Sequence, residues 1–434
     1  MKAMRYSILA LAAVAIALLG TNAFAFHSGG VAECAGCHSM HTPYPGGTAL
    51  LVGKDPSATC LSCHQNAGDT GPSSYHISTA DASLGAGLSP LQRTPGGDFG
   101  WVKKTYTWAG RGGGTEVEEG QTHGHNIVAS ESWNSDKTAV VTYGYVADTE
   151  NTNAPGGTYP GGVLSCVSCH DMHGTSRRNA NGEISGPADA DARPIASSGS
   201  YKTSIDPNAD VSVGVYRILA GPGFVTDGVT FDGAPDAVAP NTYNQTEATN
   251  QVKVAYGRAT GNGHVSWSQW CGECHGAMHY DNGAKYVHPT DEPLGTTIAN
   301  NYNAYKKTGD LTGVQASSFT SLVPFVYNAG ATTADYGTLK AASGNAAATF
   351  AGPASTDRVD CLSCHRAHAS AWEYAVRWNP EYEFLTDANG NYYNGGFGGR
   401  GRTIAEVEDS YYDRPSTTFA KAQRSLCNKC HVKD

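Results

Sequence analysis

The sequence predicts a mostly irregular, loop-rich body with short helices and few strands, wrapped around cofactors instead of a conventional apolar core. Three observations predict it. All twelve cysteines of the 434-residue chain fall into six C-x-x-C pairs, and each pair is followed at once by histidine. Glycine is abundant, with 53 residues, while only 16% of the chain is charged. Long amphipathic periodicity of the helical or the strand kind is hard to find.

The N-terminus reads as an export leader. Lys2 and Arg5 precede the apolar run Ile8 to Leu19, and Ala23-Phe24-Ala25 is an A-x-A cleavage site. Residues 1–25 are therefore expected to be removed, leaving a mature chain from Phe26. No cysteine lies near that site, so no lipid anchor is expected. No later run is long enough to span a bilayer as a helix. The product is expected outside the inner membrane, secreted or periplasmic.

The six motifs are Cys34/Cys37/His38, Cys60/Cys63/His64, Cys166/Cys169/His170, Cys271/Cys274/His275, Cys361/Cys364/His365 and Cys427/Cys430/His431. C-x-x-C-H is the signature of covalent c-type haem: the two thiols become thioethers and the histidine binds the iron from one side. Disulfides or zinc would account for paired cysteines but not for a histidine after every pair. Six haems leave about 70 residues of mature chain for each. The macrocycles then form much of the core, and residues 26–434 form one elongated domain. The formal charge of −10 argues against nucleic acid as a partner and fits cationic partners or mineral surfaces.

A threefold repeat organises the histidines. Each unit has a lone His, then C-x-x-C-H-x-x-H, then a second C-x-x-C-H. The units cover about 26–80, 120–280 and 285–434. The leading histidines are His27, His125 and His288; those of the H-x-x-H pattern are His41, His173 and His368. Together they supply the six distal ligands that bis-histidine haems need, and two imidazoles place the potential below that of Met/His ligation. His76 and His279 are reserve distal candidates, and His123 and His264 are expected at the solvent side of Gly-rich loops.

Between the motifs, residues 94–110 are aromatic-rich; Trp101, Tyr106 and Trp108 are expected to pack on haem faces or edges. Residues 111–120 read as a flexible acidic loop, 385–402 as a hairpin with an Asn-Gly turn, and 296–350 as weakly helical. No phosphate loop, nucleophile elbow or catalytic carboxylate pair is present.

The segments "FHSGGVAEC", "DTGPSSYHISTA", "TPGGDFGWVKKTYTW", "GHNIVA", "APGGTYP", "CLSCHRAHAS" and "LCNKCHVKD" give the chain a closer resemblance. It is similar to the OmcS-type extracellular hexahaem c-type cytochromes of metal-reducing bacteria, from the mature N-terminus to the last residue. Linkers around 44–59 and 370–400 depart in length and sequence. The resemblance implies head-to-tail filaments with an unbroken haem chain along the axis. It also implies respiratory electron delivery, from upstream outer-membrane cytochromes to iron oxides, other extracellular acceptors or partner cells.

Three functions are open to such a chain: an extracellular conduit, a discrete periplasmic carrier, and a multihaem oxyanion reductase. The reductase needs an open iron, and all six motifs end in His while spare histidines exceed demand. The chain is thus expected to be an electron-transfer protein and not an enzyme, with any metal reduction occurring at exposed haem edges. His41 is too near His38 to reach the far face of the same haem. Its counterparts can reach back along the chain, His173 to haem 1 and His368 to haem 3. For His41 no earlier haem exists, and haem 5 is left one ligand short. The resemblance implies that His41 completes haem 5 of the neighbouring protomer; the alternative is that His76 or His279 completes it internally.

Overall fold

The computed structural model describes residues 34–66, 68, 74–134, 136–189, 193–241, 252–279, 288–327, 336–344, 351–394 and 398–432. The expected leader and His27 lie outside these residues, as does the side chain of His279.

Short helices form where a polar cap meets a haem motif. α1 (Cys34–Cys37) and α2 (Pro56–His64) carry the first two. Asp55 starts α2 by accepting from the Ala58 N–H at 2.7 Å, and Pro56 stands where no N–H is required. The other Asp55 oxygen accepts from the Ser130 N–H at 2.8 Å and ties α2 to the strand Ala129–Trp133. The third motif lies on a 3-10 turn, Cys166–Ser168, closed by a Ser165/Ser168 capping box. α3 (Trp267–His279) carries the fourth and, at 13 residues, is the longest described helix. α4 (Gly295–Ala304) and α5 (Tyr336–Ala342) occupy the weakly helical stretch. α6 (Cys361–Cys364) carries the fifth motif behind an Asp360/Ser363 capping box. α7 (Ile404–Ser410) follows its own Thr403/Glu406 box, and α8 (Asn428–His431) carries the last motif.

The described strands form six small sheets, the largest of four strands. This is the loop-rich architecture the sequence predicts. No described helix is long and apolar enough to cross a membrane. The 385–402 stretch closes as a turn around Asp387, with one antiparallel bridge between Thr386 and Tyr392.

The 111–120 stretch departs from expectation. Its second half is the strand Thr115–Glu118, paired antiparallel with Tyr106–Ala109 in the register Tyr106↔Glu118 and Trp108↔Glu116. Trp108 packs under the Arg400 guanidinium at 4.6 Å, and Trp101 lies in the largest apolar cluster with Trp372, Trp378 and Tyr411. Trp101 and Tyr106 thus belong to a Trp–Tyr cluster, while Trp108 is half-buried outside it.

His123 and His264 are buried, not on the solvent side. Each centres a charge cluster that the local sequence conceals. The His123 ring is hydrogen-bonded through Nδ1 to Trp101 O at 2.9 Å and through Nε2 to Glu118 Oε1 at 2.7 Å. Glu118 also pairs with Arg402 and, at 3.0 Å, with Arg400. The His264 ring is hydrogen-bonded through Nδ1 to Asp236 Oδ2 and through Nε2 to Gly182 O, both at 2.7 Å, while Arg178 takes the other Asp236 oxygen. Both rings thus face acceptors at both nitrogens, and each carboxylate is shared with arginine. Gly-rich loops here serve close packing around a buried ion cluster, because a buried charge persists only when paired and hydrogen-bonded.

Burial pushes the Glu118 carboxyl up, but the His123 hydrogen bond and the Arg402 charge outweigh it and hold the group at about 2, against 4.5 ordinarily. A lowered folded value means that Glu118 contributes stability above about pH 4.5 and loses it progressively as pH falls through about 2. The contribution is on the order of 3 kcal/mol. Denaturant unfolding of Glu118→Gln is expected to show that loss at neutral pH and a flatter dependence between the two values; a variant as stable as the parent at pH 7 would contradict this.

Candidate functional site: a succession of paired thiols and imidazoles

Within each C-x-x-C-H motif the helical or 3-10 turn brings the two thiols, three residues apart, to the same side. The six motifs lie beside one another in chain order. Burial and the neighbouring Cys63 together push the Cys37 thiol up, placing motifs one and two side by side. Cys60 and Cys166 lie close enough that Cys60 is pushed well up and Cys166 down, linking motifs two and three. Burial, with Cys274 close by, raises Cys169 to about 12 and links three to four. Cys271 and Cys361 are likewise close, with Cys271 pushed well up and Cys361 down, linking four to five. Burial, with Cys427 and Cys430 close by, raises Cys364 to about 12 and links five to six.

An imidazole binds iron through one nitrogen, and its other nitrogen needs an acceptor that fixes tautomer and ring plane. Five of the motif histidines direct Nδ1 at a backbone carbonyl. The pairs are His38 to Ala49 O at 2.8 Å, His64 to Tyr75 O at 2.8 Å, His170 to Arg217 O at 2.9 Å, His275 to Pro155 O at 2.8 Å and His365 to Tyr374 O at 2.6 Å. Nε2 of each is thereby left as the metal-facing atom. His125 has the same arrangement, with Nδ1 2.6 Å from Ala367 O.

Three motif histidines face a second imidazole. Ring centres are 5.9 Å apart for His125 and His275, 6.4 Å for His170 and His368, and 6.3 Å for His288 and His431. With metal–nitrogen bonds of about 2 Å and about 1.2 Å from nitrogen to ring centre on each side, two trans imidazoles on one metal have centres about 6 Å apart. The donor set and its spacing fit bis-histidine haem. Desolvation lowers His125 to about 4 and His368 to about 3, so both stay neutral with a free lone pair.

The segments bearing His125 and His368 are bound to each other. Gly124 bridges Ala369, and the His125 N–H donates to His368 O at 2.9 Å. A Cβ on Gly124 would lie 2.3 Å from His368 O, and one on Gly97, whose φ is +91°, would lie 1.7 Å from Ala369 O. Glycine alone permits that approach. It explains "HGH" and "TPGG" as close-contact sites around two imidazoles. Phe99, three residues after Gly96, stacks on the His368 ring at 4.6 Å and 22°. The aromatic run therefore supplies a ring to the site, Phe99.

The remaining candidates are placed differently. His41 and His173 are exposed. His76 is buried, with Nδ1 3.2 Å from Ser74 Oγ. Among the described residues no second imidazole faces His38 or His365 at ring-pair distance. The residues that sequence reasoning missed are the carbonyl acceptors and Phe99. Backbone acceptors carry no side-chain signature, so no motif could have revealed them.

Successive thiol pairs, five of the six followed by an imidazole whose Nδ1 is tied to the backbone, define a multihaem c-type cytochrome. No family model matches the chain. The curated C-type cytochrome OmcS of Geobacter sulfurreducens is 48% identical over 459 residues, covering 100% of both chains. The solved outer membrane cytochrome S filament from Geobacter sulfurreducens shares 48% identity at a TM-score of 0.81, over 94% of this chain and 100% of that one. The OmcS nanowires of the same organism, solved by cryo-EM, match at 46% identity and a TM-score of 0.80, with the same coverage. The chain belongs to the OmcS family of c-type cytochromes.

Replacing His125 by Met is expected to leave the haem count unchanged and to raise the potential of one centre, since Met/His ligation lies above bis-histidine. Electron paramagnetic resonance of the ferric protein should lose one bis-histidine signal. An unchanged spectrum would remove His125 from the ligand set.

Proposed function

We propose that this chain is an extracellular electron conduit that carries six covalently bound haems in series and polymerises head to tail. The supporting observation is the succession of motifs, each beside the next in chain order, with no gap in the series. Bound haem supplies the reversible ferric/ferrous couple. The polypeptide supplies spacing, axial ligands, burial and hydrogen bonds, which set each potential.

In this reading the twelve motif cysteines form the thioethers, and His38, His64, His170, His275, His365 and His431 are the proximal ligands. The ring pairs favour His368 for haem 3, His125 for haem 4 and His288 for haem 6. By the repeat, His27 serves haem 2 and His173 serves haem 1. Residues 1–25 are a leader, and 26–434 form one domain of three units.

Polymerisation draws on the filament and nanowire assemblies of the two solved relatives. His41 is the residue of this chain that would join protomers, by completing haem 5 of the next. Its exposure favours it over the buried His76 as a ligand shared between protomers. A contact of this kind is heterologous and builds an open filament when its rotation does not close. Electrons would leave from haem edges to iron oxides, other extracellular acceptors or partner cells, after delivery by upstream outer-membrane cytochromes.

Intact mass of the secreted protein is expected to give a chain from Phe26 with six haem additions, and fewer additions would overturn the haem assignment. Electron cryo-microscopy of shear-harvested extracellular material is expected to show filaments. His41→Ala should keep six haems and fold yet fail to polymerise. Normal filaments from that variant would reject His41 as the link.

A further inference from the structure

The acceptors of the three odd-numbered motif histidines share a geometry. Ala49 and Leu50 have φ of 53° and 58°, Arg217 and Ile218 52° and 50°, and Tyr374 and Ala375 60° and 54°. Each pair forms the centre of a tight turn closed by a backbone hydrogen bond: Leu51 N–H to Thr48 O at 3.0 Å, Leu219 N–H to Tyr216 O at 3.1 Å, and Val376 N–H to Glu373 O at 3.3 Å. Positive φ at both central residues is the type I′ turn, which normally calls on Asn-Gly. None of the three has glycine, and the left-handed region is unfavourable for residues with a Cβ.

Every turn holds its motif in the same three ways. The carbonyl of the first central residue accepts from the histidine Nδ1, at 2.8, 2.9 and 2.6 Å in chain order. The carbonyl of the second accepts from the N–H after the histidine: Leu50 O from Ser39, Ile218 O from Asp171 and Ala375 O from Arg366, at 2.7, 2.8 and 2.8 Å. The second residue beyond the turn centre returns a bond to the second cysteine: Val52 to Cys37 O, Ala220 to Cys169 O and Arg377 to Cys364 O, at 2.9, 2.9 and 2.8 Å. The even-numbered acceptors Tyr75 and Pro155 are not in the left-handed region.

We propose that these three turns are positioning elements for the first haem of each unit. They clasp the proximal imidazole in one plane and one tautomer, and they keep its Nδ1–H bonded so that Nε2 is the stronger donor to iron. A stronger donor favours the ferric state and holds the potential of that centre down. Local strain of this kind persists where the surrounding structure over-determines it and collects at functional sites. The inference rests on the assignment of His38, His170 and His365 as iron ligands.

The test uses the full secreted protein. Ala49→Pro removes the positive φ, because proline is held near −65°, and so turns the carbonyl away from His38. The paired change Ala49→Asn with Leu50→Gly keeps the turn and changes only its side chains. The same two changes at Tyr374 and Ala375 are made in parallel, so that loss of one variant leaves the other to decide. Intact mass is expected to show six haems throughout; fewer in the parent would overturn the ligand assignment itself and not the turns. In the proline variant, spectroelectrochemical titration is expected to show one centre moved to higher potential. Its ferric resonance should shift, and amide exchange at Ser39 should quicken at least tenfold. The Asn-Gly variant should match the parent. Unmoved potentials with a still protected Ser39 in Ala49→Pro, or a still protected Arg366 in Tyr374→Pro, would overturn the proposal, as would an Asn-Gly shift as large as that of proline.

Discussion

One hydrogen bond recurs through this protein and sets the terms for the rest: an imidazole Nδ1–H donating to a backbone carbonyl. Six histidines assigned to iron make it, five of them in the C-x-x-C-H motifs, and the buried His123 makes it as well. A carbonyl inside a helix or sheet is already engaged, so the acceptors must come from segments outside regular structure. The demand for free carbonyls at fixed points therefore favours an irregular wrap over long helices or wide sheets. Acceptors also lie far off in sequence. Pro155 serves His275 across 120 residues and Ala367 serves His125 across 242, so placing the ligands and folding the chain are one event.

Such a wrap has little regular structure to stiffen it. The stiffness comes from buried charge clusters and aromatic packing between the haem motifs. Arg402 lies over both Tyr106 and Trp372 at 4.0 and 4.3 Å, donates to Ala371 O and pairs with Glu118. Glu118 in turn binds His123, two residues before His125, and Ala371 lies three residues after His368. One guanidinium thus braces the segments of two proposed iron ligands. Breaking such a cluster leaves a buried charge unpaired, so the cost reaches beyond the residue changed.

The order of the motifs in space is their order in sequence. A series without gaps gives electrons a single route through the protomer and leaves its two ends at motifs one and six. The exposed His41 sits at the first of those ends, and its counterparts His173 and His368 sit within the chain. Assembly through an iron ligand would bind the continuity of the route to the continuity of the polymer, since the same bond would serve both.

The six C-x-x-C-H motifs, the surplus of histidine and the threefold repeat are legible in the residues because covalent attachment needs thiols and imidazole at fixed short spacing. The loop-rich fold follows from the same chain, since glycine and the lack of periodicity leave little for regular structure to use. The tertiary structure alone decided which imidazoles face each other, because ring pairs such as His170 and His368 join segments nearly two hundred residues apart. It also moved His123 and His264 from expected loop surfaces into buried ion clusters, whose partners Arg402 and Asp236 are remote in sequence. The left-handed turns at Ala49, Arg217 and Tyr374 were equally hidden. Nothing in Thr-Ala-Leu-Leu, Tyr-Arg-Ile-Leu or Glu-Tyr-Ala-Val announces positive φ, which accompanies hydrogen bonds to the haem motif 9 to 47 residues away, against the local preference of the residues.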